Sequence, residues 1–156
     1  MKLVKKLMES IREYKKASIL TPIFVTVEVV MEVLIPFVMA SLIDKGIEAG
    51  SMSVIWKYGI LLLVLAMISL AFGTLAGHQA SIASCGLSQN LRKDMYYRIQ
   101  NFSFSNIDKF STASIVTRLT TDVTNVQNAY QMIIRIAFRA PIMLVFALVM
   151  SFTINV

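Results

Sequence analysis

The chain has 156 residues, of which 56% are hydrophobic and 15% charged, with a formal net charge of +6 and a mean hydropathy of +0.69. That balance excludes a water-soluble globular domain and places the chain among membrane proteins. A single cysteine, Cys85, excludes an internal disulfide, and no basic patch interleaved with exposed aromatics points to nucleic acid as a partner.

Residues 1–16 carry Lys2, Lys5, Lys6, Arg12, Lys15 and Lys16, while Leu3, Leu7, Ile11 and Tyr14 fall on one helical face. This is the pattern of an elbow helix lying in the lipid surface. A cleaved signal peptide fits poorly, because the apolar run that follows is too long, holds two glutamates and lacks a small-residue cleavage site. That run, 21–43, is the first span, with Thr21 as N-cap and Pro22 at the first helical position. It rises roughly 34 Å, enough for a hydrocarbon core of about 30 Å.

A second span starts near Trp56, since Tyr58 to Leu91 contains no Asp, Glu, Lys or Arg. Past Gly77 the residues become small and weakly polar (GHQASIASCGLSQN), suited to close helix packing or to lining a wet cavity. The helix then continues to residue 103 as an amphipathic extension, with Leu87, Leu91, Met95, Ile99 and Phe102 on one face and Arg92, Lys93, Asp94 and Arg98 on others. His78 and Cys85 share a face of it, but two such residues without further ligands make no metal site.

At the tip, Ser105 and Asp108 form a capping-box-like start of a short helix over 105–114, and Ser111 and Thr112 offer N-caps to a returning helix. Phe102, Phe104 and Phe110 either pack that short helix in place or present an apolar knob to a partner. The return shows an apolar series of Ile115, Leu119, Val123, Val126, Tyr130, Ile133 and Ala137. It leads into a third span that carries no charge from Ala140 to Val156, about 25 Å of rise, and is read as truncated. Pro36 and Pro141 lie within spans and read as kinks.

Six basic residues precede the first span and seven lie between Arg92 and Arg139, against two from Asp44 to Lys57. By the positive-inside rule the N-terminus and the tip are cytoplasmic. Glu28 and Glu32, at i and i+4, sit roughly 10 and 16 Å along the first span from Thr21, too deep for charged carboxylates to face lipid. Two readings stand: a cavity accepting cationic amphiphiles or a proton, or a buried pair bonded to neighbouring helices, with Arg135 or Arg139 as candidate partners.

The segment IDKFSTASIVTRLTTDV, followed by Gln127 and then Arg139-Ala140-Pro141, resembles the first intracellular loop of ATP-binding-cassette exporters, closest to half-transporters of the bacterial heterodimeric multidrug type. Ala113 stands where many relatives have glycine or serine, and Thr121 where asparagine is common. The resemblance implies an all-α membrane domain: an elbow, long transmembrane helices extending into the cytoplasm, and a coupling helix, as the first part of a six-helix bundle in the plasma membrane. It further implies that Ile107 to Ser114, with Asp108, Phe110, Ser111 and Thr112, dock on a nucleotide-binding domain. Arg118 and Asp122 would hold the start of the returning helix; without the resemblance they are an i,i+4 surface pair. No GxxxxGK[ST] motif is present, so ATP and Mg are expected on a nucleotide-binding domain absent from this stretch. The other partner implied is a second half-transporter, with a heterodimer favoured. A small three-span scaffold and a fragment of a secondary transporter are the alternatives, weakened by the long cytoplasmic helices.

Overall fold

The computed structural model describes residues 9–101 and 111–154. Among the described residues every regular element is helical. A tight turn, Arg12–Tyr14, leads into α1 (Lys15–Leu42), which widens into a π-helical turn at Ile43–Glu48. Helix α2 (Met52–Gln100) follows; then α3 (Thr112–Thr117) runs through a second π-helical turn, Arg118–Asp122, into α4 (Val123–Ile154). Three stretches are long and apolar enough to cross a membrane: Arg12–Glu48, Met52–Gln100 and Ala113–Phe152. The chain is therefore an all-α, multi-pass membrane structure.

The 49 residues of α2 rise about 74 Å, more than twice a hydrocarbon core, so the unbroken helix carries the extension expected beyond the apolar run. Its start at Met52 precedes Trp56, which is 68% exposed, a placement suited to an interfacial anchor. The reversal before α2 passes through Gly50 at φ +63°, a left-handed conformation that glycine adopts without a Cβ penalty.

Two boundaries differ from the sequence expectation. Helix α1 begins at Lys15, so Thr21 is an interior residue, and its hydroxyl donates to the Ala17 carbonyl at 2.9 Å rather than capping an end. Residues 15–20 hold no helix breaker and are pinned by packing: Ala17 is buried with Ala80, Ala83 and Ile134. Pro22 therefore sits inside the helix, where its missing N–H leaves the Ser18 carbonyl without a helical donor. At the tip, the sequence places 105–114 in one short helix. Ser111 is extended (φ −57°, ψ 141°) and accepts a hydrogen bond from the Ser114 N–H at 3.3 Å, so it is the N-cap of α3. Residues Thr112–Ser114 thus belong to the returning helix, while Ile107, Asp108 and Phe110 lie outside the described residues. Pro36 and Pro141 both lie inside continuous helices.

The three spans pack through small residues. On α1, Ala17, Thr21, Val25, Glu28 and Val29 form one buried stripe. Opposite it, α2 presents Ala76, Ala80, Ala83, Ser84 and Leu87, of which the alanines and the serine are short enough to let the two backbones approach. Helix α4 closes this seam with Val123, Tyr130, Ile134 and Ile142. The inward face of α4 is not quite the one read from its apolar series: Ile134 is buried, whereas Ile133 is 59% exposed. Lipid is as apolar as a protein core, so hydrophobicity near the bilayer does not mark which face turns inward.

The N-terminal segment is fastened to the far end of α2. Arg12 donates to Asp94 Oδ1 at 2.9 Å, the Asn90 amide donates to the Ser10 carbonyl at 2.9 Å, and Ile11 is buried. Gly86 makes room for the Tyr14 ring, which a Cβ there would approach to 2.3 Å. Tyr130 ties α4 into the same region through a relay, its hydroxyl donating to Ser18 Oγ at 2.8 Å and Ser18 donating in turn to the Tyr14 carbonyl at 3.0 Å.

Candidate functional site

The chemistry concentrates where α1, α2 and α4 meet inside the spans. Glu28 and Glu32 lie one turn apart on α1, so both carboxylates leave the helix on the same side. Arg139 of α4 reaches between them: Nη1 donates to Glu28 Oε1 at 3.1 Å and Nη2 to Glu32 Oε2 at 2.6 Å. A planar guanidinium suits this task, because its fork can hold two acceptors at once, which a lysine point charge cannot do in one fixed geometry. Of the two arginines raised as partners, Arg139 is the one that pairs. Arg135, one turn earlier on α4, makes no ion pair among the described residues.

The two acids are not equivalent. The Glu28 side chain is 11% exposed and that of Glu32 31%. Glu28 Oε2 is buried and has no hydrogen-bond partner among the described residues, an unusual condition for a carboxylate oxygen away from water. Helix α2 closes the third side through Gly73, where a Cβ would lie 2.9 Å from Glu28 Oε1 and 3.1 Å from its carboxyl carbon. A Cβ there would oblige the carboxyl end of Glu28 to shift from its place against Arg139.

Two grooves flank the cluster. One, of about 480 Å³, runs between α1 and α4 and is lined by Val25, Glu28, Asn128, Gln131, Arg135 and Arg139 among others. The second, of about 460 Å³, lies towards α2 and includes Glu28, Glu32, Ser69, Gly73, Thr74 and Arg135. Glu28 and Arg135 border both. Gly73, Ser69 and Thr74 were not singled out from the sequence; their signal was a glycine and two hydroxyls inside an otherwise apolar span.

Towards the tip, Arg118 and Asp122 stand at the two ends of the π-helical turn, both exposed. The extension is cross-tied by Arg92, which donates to Thr124 Oγ1 at 3.2 Å, and by the Gln127 amide, which donates to Cys85 Sγ at 3.3 Å. His78 is exposed on α2. Among the described residues no group of three or more metal-ligating side chains occurs.

Residues 18–156 match the ABC transporter transmembrane region family. Over 153 residues the chain is 33% identical to an ABC transporter ATP-binding protein of Bacillus subtilis, covering 98% of this chain and 27% of that relative. It is 26% identical over 145 residues to an ABC transporter ATP-binding protein of Mycobacterium tuberculosis, covering 93% and 25%. An ATP-dependent lipid A-core flippase of Albidiferax ferrireducens is 25% identical over 124 residues, covering 80% and 21%. The chain thus spans about a quarter of the length of the curated relatives it matches.

Proposed function

The chain belongs to the ABC transporter transmembrane region family, and on that premise we propose that it forms part of the translocation pathway of an ATP-driven exporter of amphiphilic drugs, lipids or peptides. The observation that carries this reading is the charged cluster of Glu28, Glu32 and Arg139, set among three membrane-length helices and opened by two grooves. Ionisable groups at that depth are expensive unless they face protein or a wet path. A relative named for flipping lipid A-core supports an amphiphilic cargo.

In this reading the N-terminus and the tip face the cytoplasm of a plasma-membrane protein, an orientation that the excess of basic residues on those segments supports. The tip, with Ile107, Asp108, Phe110, Ser111 and Thr112, docks on a nucleotide-binding domain that holds ATP and Mg, and Arg118 with Asp122 steadies the returning helix. Movement of that domain is transmitted by α2 and α4, which the Arg92 and Gln127 cross-ties join into one lever. A second half-transporter completes the pathway, a heterodimer being the favoured arrangement. Glu28 and Glu32 border the pathway and share the one guanidinium of Arg139 between their two charges, so a purely cationic cargo has to compete with it.

The test uses the full-length protein in proteoliposomes. ATP-dependent movement of an amphiphilic dye is expected, and Phe110→Asp should lower dye-stimulated ATP hydrolysis while nucleotide binding stays near wild type. No ATP-dependent movement of any amphiphile contradicts export, and wild-type transport by Phe110→Asp contradicts coupling through this tip.

A further inference from the structure

We propose that the two grooves beside the cluster form one site for a zwitterionic headgroup, an amine placed at Glu28 Oε2 and a phosphate or carboxylate at Arg135. This rests on the export reading above and narrows its cargo.

The inference begins with an account of what is already bonded. Arg139 spends its fork on Glu28 Oε1 and Glu32 Oε2. What remains unpaired among the described residues is one buried acceptor, Glu28 Oε2, and the guanidinium of Arg135, which has no carboxylate partner there. Both residues border both grooves. The complement of one unpaired carboxylate oxygen, lying just beneath the groove wall, and one unpaired donor fork is a group carrying an N–H cation beside an oxyanion.

Charge leads to the same class. Two carboxylates and two guanidiniums sum to zero, and a site of low dielectric resists gaining net charge. A cation alone meets two arginines, and an anion alone meets a buried carboxylate; a dipolar headgroup leaves the sum unchanged. Each groove has the volume expected of a small-molecule site. Beside the polar groups lie Met132 and Ile136 in one and Ile35 and Leu70 in the other, apolar surface on which acyl chains can continue.

The experiment measures equilibrium binding to the purified full-length protein in detergent. Four probes are compared: a fluorescent phosphatidylethanolamine analogue, a phosphatidic acid analogue with the same chains, a long-chain alkylammonium, and water-soluble phosphoethanolamine as competitor. Wild type should bind the phosphatidylethanolamine analogue at least about tenfold more tightly than either singly charged amphiphile. Arg135→Gln should weaken it about tenfold, a change of about 1.4 kcal/mol, and Arg135→Lys should recover part of the loss. Glu28→Gln should weaken the zwitterion but not phosphatidic acid.

Arg135→Gln breaks no described ion pair, so its melting temperature should stay at the wild-type value and the arm remains interpretable if Glu28→Gln fails to fold. Competition by phosphoethanolamine alone supports the site with a soluble source; binding of the lipid without such competition supports it with a membrane source. Unchanged zwitterion affinity in Arg135→Gln, or equal wild-type affinity for the alkylammonium, overturns the proposal. ATP-driven dye transport without zwitterion preference sinks this inference alone, whereas loss of all ATP-driven transport in the wild type sinks the export reading itself.

Discussion

Replacing Arg139 by Gln removes one guanidinium and two bonds, and the two carboxylates it leaves behind should register very differently. Glu32, with its side chain 31% exposed, resembles a surface partner, for which an ion pair is worth about 0–1 kcal/mol. Glu28 is the severe case: its side chain is 11% exposed and its second oxygen already has no partner among the described residues. Stranding a buried charge costs about 3–5 kcal/mol. Because the Arg139 side chain is itself 36% exposed, the lower end, about 3 kcal/mol, is the expected loss. Equilibrium unfolding of full-length protein in mixed micelles measures it, with Glu32→Gln alongside at about 1 kcal/mol or less. The double variant is the sharper arm. Adding Glu28→Gln to Arg139→Gln neutralises the stranded group and should restore about 2 kcal/mol, a coupling that independent sites do not show. The reasoning is refuted if Arg139→Gln lies within about 1 kcal/mol of wild type, or if Glu28→Gln deepens its loss.

Gly73→Ala should destabilise by about 1–3 kcal/mol, because its Cβ would stand 2.9 Å from Glu28 Oε1; the same change made in a Glu28→Ala background should be nearly silent in the unfolding assay. Gly86→Ala drives a methyl to 2.3 Å from the Tyr14 ring, so limited proteolysis of the N-terminal segment should accelerate, and Tyr14→Ala should tolerate the methyl. Ser111→Ala removes the cap of α3 at about 1 kcal/mol; amide exchange at Ser114 should speed up, and Ser111→Asp should keep its protection.

Much of the architecture was legible in the linear chain because its physics is local. A charge-free run from Tyr58 to Leu91 reads as a helix that crosses the bilayer and continues past it, and the spacing of Leu87, Leu91, Met95 and Ile99 carries that helix on to Gln100. The cap at Ser111 was readable for the same reason, since its oxygen meets an N–H three residues away. Of the elbow stripe, Leu3 and Leu7 lie outside the described residues, and Ile11 is buried within the protein rather than laid on lipid. The tip residues Ile107, Asp108 and Phe110 lie outside the described residues, so their docking role rests on resemblance and on the proposed experiment.

What the sequence by itself determined was that Glu28 and Glu32 share a face and lie too deep for lipid, a consequence of helical pitch and of the cost of a bare charge. It also narrowed their partners to two arginines one turn apart, Arg135 and Arg139, but local rules treat those two alike. Only the tertiary structure chose Arg139, because the rotation and height of α4 against α1 are set by packing of Val25, Val29, Ala76 and Ile142. Likewise, nothing local makes Thr21 an interior residue or sets Gly73 against a carboxylate. The first follows from Ala17 being held against Ala80, Ala83 and Ile134, and the second from a Glu28 carboxylate lying against the α2 backbone. Contacts across 45 residues of chain, from Glu28 to Gly73, depend on how whole helices settle together, and no periodicity within one helix encodes that register.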